Sequence, residues 1–273
     1  MAQELYENVY EGKTGFSFGK NWQDFLRFLD QDRIEITKKG LADFLGGPDA
    51  VRGKTFVDVG CGSGLFSLAA HLLGAARVVS VDVDRNSVRC AEMLRERQGS
   101  PTNWEIKTGS ALDAGFMASL GKFDIVYSWG VLHHTGDMYR AIGNACGLVK
   151  DDGVFFLAIY NRFVSSRAWW HIKRIYNATP KPLKGFWVGL HYAYAAGLSA
   201  MRGRWIGTEI KNYRSNRGMT FHNDVIDWLG GFPYEYATTG EIAEFSKKHS
   251  LAPVKIRDAA GPACWEMLLK KKA

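Results

Sequence analysis

The 273-residue chain lacks several features that would each have named a function class. Its four cysteines, Cys61, Cys90, Cys146 and Cys264, are far apart and form no Cys-x-x-Cys pair. That spacing argues against a disulfide framework or a zinc site and fits reduced thiols. His222 and Asp224 have metal-ligand chemistry, but two ligands without a third are not a site, so no metal is expected. Met1 to Tyr10 is polar and acidic, unlike a signal peptide, and the expectation is a cytoplasmic protein. There is no internal repeat, no low-complexity tract and no known RNA-binding motif. Acid is almost missing from Tyr160 to Arg217: eleven Lys/Arg stand against Glu209 alone. That stretch carries +10 in a chain of net charge +7, leaving −3 for the rest. The basic character therefore belongs to one segment and speaks of partners rather than of fold.

What is present is an alternation of short apolar runs and helical patterns. Apolar residues recur at helical spacing from Asn21 to Leu45 and stop at Gly46-Gly47-Pro48. Strands are predicted at Thr55–Val59, Arg77–Val81, Trp104–Lys107, Phe123–Ser128 and Gly153–Ile159. Helices are predicted at Leu65–Leu73, Ser87–Arg97 and Asp137–Leu148. After a break, a helix at Thr239–His249 and strands at Ala252–Arg257 and Ala263–Leu269 resume the pattern. Such alternation implies a doubly wound α/β sandwich with a mostly parallel, seven-stranded sheet and helices on both faces. Ligands bind such sheets at the carboxyl ends of the strands, at the switch in strand order. The expected division is an N-terminal helical segment over 1–50, an α/β domain over 51–160 and 237–273, and an insert over 161–236.

The first strand runs into Asp58-Val59-Gly60-Cys61-Gly62-Ser63-Gly64. Glycines there let the backbone turn sharply and approach a ligand closely, beside an exposed helix N-terminus. The spacing is GxGxG rather than the GxGxxG of dinucleotide enzymes. Asp82 ends the second strand eighteen residues after Gly64, where an acid can accept both hydroxyls of a ribose.

With these motifs, and with Phe123-Asp124-Ile125-Val126-Tyr127-Ser128-Trp129-Gly130-Val131-Leu132-His133-His134, the chain resembles the class I, Rossmann-like S-adenosylmethionine-dependent methyltransferases of the small-molecule type. The similarity covers about residues 50–160 and 238–270. It implies S-adenosylmethionine as cofactor. Asp58, Gly60, Cys61, Gly62 and Gly64 would surround its methionine moiety. Asp82 and Val83 would lie at the ribose, and the Ser128-Trp129-Gly130 backbone would pass beside the cofactor. The family often has Gly-Asp after the third strand to hold the adenine amine; this chain has Gly109-Ser110, so Ser110 and Ala111 take that place. The N-terminal Phe18–Trp22 looks like the segment that many such enzymes fold over the cofactor.

Methyl transfer from a sulfonium needs alignment and exclusion of water, and a base where the acceptor is a hydroxyl. His133 and His134, just beyond the fourth strand, are the candidate bases near neutral pH; a packed or helix-capping loop histidine is the competing reading. His222, near Asn223, Asp224 and Asp227, is a weaker candidate, as is Glu266; helix capping competes there too. The insert over 161–236, with Trp169, Trp170, Trp187 and Trp205, is expected to be a helical lid that selects the acceptor.

Gly185–Met201, 17 uncharged residues between Lys184 and Arg202, is near the lower limit for spanning a bilayer. Trp187, Leu190, Tyr194, Leu198 and Met201 share one helical face there, which either packs on the domain or rests on a membrane surface. The expected activity is O-methylation of a small-molecule, glycan or lipid-linked acceptor, and the basic insert makes an anionic acceptor one of the readings. The alternatives are N- or C-methylation, a tRNA methyltransferase, or a cofactor-binding pseudoenzyme; nucleic acid is the least expected partner.

Overall fold

The protein is described from a computed structural model, which covers Leu26 and residues 29–208, 210–211, 221–259 and 261–271. Phe18–Trp22 and the start of the helical pattern at Asn21 lie outside the described residues. The first described helix, α1 (Gln31–Leu45), begins where the Asp30 side chain accepts from the Arg33 N–H, and ends at Gly46 in the left-handed region.

The described residues place seven strands in one sheet: β1 (Thr55–Val59), β2 (Arg77–Asp82), β3 (Trp104–Thr108), β4 (Phe123–Trp129), β5 (Val149–Tyr160), β6 (Leu251–Arg257) and β7 (Cys264–Lys271). Their order is β3-β2-β1-β4-β5-β7-β6. β1 to β5 are parallel, and β7 runs antiparallel between β5 and β6. Strand order reverses between β1 and β4, so the switch point lies where the glycine loop leaves β1.

The central strands β1, β2, β4 and the later part of β5 are nearly continuously buried because both faces are covered. Successive residues of a strand enter opposite cores. Val57, Val79, Val126, Phe155 and Met267 pack with α5 (Met138–Cys146) and α9 (Thr239–Lys247). Phe56, Val78, Ile125, Phe156 and Leu268 pack with α1, α2 (Leu65–Leu72) and α3 (Arg85–Arg97). One short helix, α4 (Ala114–Ser119), escapes the sequence pattern. Six residues show no periodicity, and its start is set by Asp113 accepting from the Phe116 N–H. β5 also starts earlier than its apolar run, because Val149 pairs with Phe123 before the sheet continues at Val154.

Between β5 and α9 the described residues form α6 (Ser166–Ala178), α7 (Lys184–Met201) and α8 (Phe221–Gly230). They share a small core of Tyr176, Val225 and Leu229, flanked by Trp169, Ile172, Trp187 and Tyr192. The chain returns beside its own exit: Ala237 N–H donates to Tyr160 O, Arg162 N–H donates to Ala237 O, and Asn161 and Ala237 form an isolated bridge. The expected apolar face of α7 is split. Trp187 and Leu198 are half-buried, whereas Leu190, Tyr194 and Met201 are exposed. Leu183 and Phe186 extend this exposed ridge. Among the described residues, no helix is long and apolar enough to cross a membrane.

Trp265 of β7 joins the two parts. It is buried, and its indole N–H donates to Ala237 O at 2.9 Å. Trp265→Ala leaves a cavity and removes one of the two donors to Ala237 O, and should lower the urea-unfolding free energy by about 3–5 kcal/mol. A loss under about 1 kcal/mol would show that the indole is not a structural tie.

Candidate functional site

The glycine loop is built by backbone conformation. Gly60, Gly62 and Gly64 have φ of 79°, 53° and 81°, a region that side chains rarely allow. Two of them are also walled in. A Cβ on Gly60 would drive into the Val131 side chain, and one on Gly64 would stand 2.9 Å from Ala91 of α3. The loop is therefore pressed against the turn after β4 on one side and against α3 on the other. Gly60 N–H and Cys61 N–H both donate to Val81 O.

Asp82 locks this arrangement. Its Oδ2 accepts from the Gly62 N–H and its Oδ1 from the Asp84 N–H, both at 2.9 Å. Each carboxylate oxygen keeps further acceptor capacity. The side chain is half-buried, and burial pushes its pKa up to about 6 against the pull of the backbone donors. Val83 beside it is half-buried.

Asp58 faces the scaffold. Its Oδ2 accepts from Ser67 Oγ at 2.7 Å, Ser67 accepts from Ser80 Oγ at 2.6 Å, and Ser80 accepts from Trp104 Nε1 at 2.8 Å. Burial raises the Asp58 pKa to about 7, opposed by the Ser67 hydroxyl and reinforced by the charge of Asp82. The same burial, with both acids nearby, pushes the Cys61 thiol well up, so it is not a nucleophile near neutral pH.

The remaining cofactor candidates lie around this loop in the strand-end turns. Ser128 Oγ donates to Val59 O at 2.8 Å, and Gly130, at φ 74°, turns the chain away from β4. Trp129 Nε1 donates to Glu266 Oε1 at 2.9 Å, and Arg257 holds the other Glu266 oxygen at 2.7 Å. Ser110 Oγ accepts from the Leu112 N–H, and the Ala111 carbonyl accepts from Asn144.

His133 and His134 do not stand at an open rim. Both are buried, at 0% and 6% exposure. Burial holds the pKa of His133 well below its ordinary value and that of His134 at about 3, and the nearby Lys173 charge adds to both shifts. A base working near neutral pH was the sequence expectation; desolvation keeps both rings uncharged instead. Their tautomers follow from their partners. His133 Nδ1 accepts from the Tyr160 N–H at 3.3 Å, so its proton sits on Nε2. His134 Nδ1 lies 2.7 Å from Pro233 O, which can only accept, so its proton sits on Nδ1. His133 Nε2 is buried with no hydrogen-bond partner among the described residues.

The sequence did not single out what surrounds these rings. Tyr160 lies against His133 with ring centroids 4.0 Å apart, and Trp228 and Tyr234 lie against Tyr160 at 5.3 and 5.1 Å. Lys173 of α6 is 0% exposed among them. The one available signal was spacing: Trp169, Lys173 and Tyr176 fall on one face of a helix. His222 lies elsewhere on α8, exposed, with Nδ1 3.3 Å from the Tyr192 hydroxyl. Among the described residues, no group of three or more His, Cys, Asp or Glu is placed to hold a metal.

Long-range 1H–15N NMR should report His133 as the Nε2–H tautomer and His134 as the Nδ1–H tautomer, both uncharged at about pH 6. Reversed tautomers, or a charged ring at that pH, would overturn the burial argument.

Comparison with known proteins shows what this geometry is similar to. Residues 57–157 match a family model described as "Methyltransferase domain". The ubiquinone biosynthesis O-methyltransferase of Methylobacterium sp. (strain 4-46) is 34% identical over 122 residues, 45% of this chain and 47% of that protein. Its counterpart in Paramagnetospirillum magneticum is 33% identical over 141 residues, 50% of this chain and 53% of that one. The chain thus spans about half the length of the curated relatives it matches. Magnesium protoporphyrin IX methyltransferase from Synechocystis PCC 6803, solved with SAH, shares the fold at a TM-score of 0.56 and 14% identity, covering 93% of this chain and 96% of that one. PKMT2 from Rickettsia typhi, solved with AdoHcy, does so at a TM-score of 0.59 and 12% identity, covering 86% and 52%. Residues 57–157, which hold the left-handed glycine loop clasped to Asp82, are thus similar to a methyltransferase domain, and the seven-stranded sheet has the fold of these two solved structures.

Proposed function

We propose that the protein transfers a methyl group from S-adenosylmethionine to an oxygen of a small-molecule acceptor. The observation that carries this reading is the Gly60–Gly64 loop fixed to Asp82 at the switch point of the sheet. The residues fit the cofactor: the left-handed glycines form a tight turn of bare backbone at the strand ends, and Asp82 keeps acceptor capacity for a ribose. Gly60, Gly62 and Gly64 would border the methionine moiety, Ser110 and Ala111 the adenine, and Ser128–Gly130 the cofactor's flank. The choice of oxygen draws on the relatives, which are named as O-methyltransferases.

When bound, the cofactor supplies an electrophilic methyl on a positive sulfur. The protein's task is then to align the acceptor, exclude water and take up a hydroxyl proton. Residues 161–236 would cover the acceptor. The exposed ridge Leu183, Phe186, Leu190, Tyr194 and Met201, with exposed Lys181, Arg202 and Arg204 around it, supports contact with an anionic membrane surface and hence a lipid-linked acceptor.

Two measurements test the reading. Because Asp82 must be ionised to accept from a ribose, S-adenosylhomocysteine affinity should hold above its pKa of about 6 and fall as the pH drops through it. The loss should approach about tenfold per pH unit below that point. Asp82→Asn should bind about tenfold or more weakly, with a flatter pH profile. Calorimetry showing no binding by the unaltered protein would end the proposal.

Incubation with S-adenosylmethionine and a panel of phenolic and polyprenylated hydroxyl acceptors should release S-adenosylhomocysteine and yield a methyl ether. The double variant Leu190→Glu, Tyr194→Glu should lose sedimentation with anionic vesicles while keeping turnover on a water-soluble acceptor. Methylation confined to nitrogen or carbon would refute the oxygen assignment, and unchanged sedimentation would refute the membrane contact.

A further inference from the structure

Ser128-Trp129-Gly130, the stretch that the methyl-transfer reading sets beside the cofactor, is anchored from both faces of the sheet. On one face Ser128 Oγ donates to Val59 O of the neighbouring β1. On the other, Trp129 Nε1 donates to Glu266 Oε1 of β7 at 2.9 Å. Gly130 N–H then donates to Ala158 O of β5, and the chain turns away. The first tie joins adjacent strands. The second does not, because β5 lies between β4 and β7.

Strand register explains how the indole crosses β5. Trp129 pairs with Ala158, Ala158 with Glu266, and Glu266 with Arg257. The four residues therefore form one row on one face of β4, β5, β7 and β6. Neighbouring strands lie about 4.8 Å apart, so the backbones of Trp129 and Glu266 are separated by about 10 Å. An indole and a glutamate reaching toward each other cover that span, because the residue between them ends at its β-carbon. Ala158 is fully buried.

Glu266 is a candidate base in the sequence, but both of its oxygens are turned toward protein donors. Oε1 receives the indole N–H, and Oε2 receives Arg257 at 2.7 Å. The Glu266 side chain is 16% exposed and that of Arg257 61%, so the pair runs from the interior to the surface. Arg257 in turn lies over the Phe44 ring at 5.1 Å, and Phe44 stacks on Phe156 at 4.1 Å. The last turn of α1 thus steadies the far end of the row. Hydrogen bonds to an ionised partner are shorter and stronger than neutral ones. A half-buried indole fastened at its N–H cannot change rotamer without giving up such a bond.

We propose that Glu266 is a positioning residue: by holding the Trp129 indole across Ala158 it sets the Ser128–Gly130 backbone at the cofactor's flank, and it acts on cofactor binding only through Trp129. The proposal rests on the methyl-transfer reading. It adds to it a residue from outside the glycine motif, 137 positions along the chain from the side chain it holds.

The test is a double-mutant cycle on S-adenosylhomocysteine affinity, measured by calorimetry on the full chain. Glu266→Leu removes the acceptor and should weaken binding about fivefold or more, the usual effect of losing one such hydrogen bond. Glu266→Gln keeps an oxygen that the indole can reach, and should bind within about twofold of the unaltered protein. Trp129→Phe should weaken binding about as much as Glu266→Leu, and adding Glu266→Leu to Trp129→Phe should change nothing further. A second readout needs no variant. In the unaltered protein without ligand, the Trp129 indole N–H, assigned from its through-space contacts, should exchange slowly with water, and S-adenosylhomocysteine should move its resonance.

A Glu266→Leu loss that is the same with and without the Trp129 indole overturns the proposal, because a carboxylate that only stabilises the sheet would behave so. A Glu266→Gln variant as weak as Glu266→Leu also overturns it, as does an indole N–H that exchanges freely or ignores the bound ligand. If the unaltered protein binds no S-adenosylhomocysteine while its indole N–H is protected, the methyl-transfer reading fails and the tie to Glu266 does not, which keeps the two failures apart.

Discussion

The structure turns on the close approach of a bare backbone to its neighbours. At Gly60 the chain lies against Val131, and at Gly64 against Ala91, with no room for a Cβ at either. Both residues are also in the left-handed region. The loop after β1 is thus held at once by the turn after β4, by α3 and by the Asp82 carboxylate. Each contact joins elements that carry part of the site. The ends of β1, β2 and β4 come together because the glycine loop fits between them.

Beneath the loop, rigidity comes from hydrogen bonds that never meet solvent. The series from Trp104 through Ser80 and Ser67 to Asp58 spans β3, β2, α2 and β1. It gives a buried carboxylate a donor and gives a buried indole an acceptor, so neither bears the full penalty of desolvation. The carboxylate thereby becomes part of the floor of the site. Asp82, half-buried, keeps capacity to receive a ligand above that floor.

The parts of this design that were legible in the sequence are those written in short-range patterns. β1, its glycines and Asp82 lie within one strand–turn–helix–strand unit, and GxGxG spacing with an acid at the next strand end carries its meaning locally. The alternation of strands and helices gave the sheet for the same reason. Other parts depend on residues far apart in the chain. The character of His133 is decided by the Tyr160 N–H, and that of His134 by the Pro233 carbonyl, 99 residues away. A histidine pair after a strand looks the same in sequence whether it is exposed and basic or enclosed and neutral. Lys173 was one of eleven basic residues in its stretch, and only the folding of α6 against α8 sets it apart. The split face of α7 is a similar case, since periodicity shows which residues share a side but not what covers them.

The bridge between Asn161 and Ala237 carries a last consequence. The chain leaves the sheet and comes back at adjacent backbone positions, so the helical stretch between them hangs from a closed neck. Closing a loop costs little more free energy as the loop lengthens, and a neck already paired by hydrogen bonds does not register what is strung beyond it. Descent with modification can then replace, shorten or extend that stretch while the sheet and its glycine turn remain unaltered. A lineage of such proteins is free to rebuild what hangs from the neck without disturbing what lies beneath it.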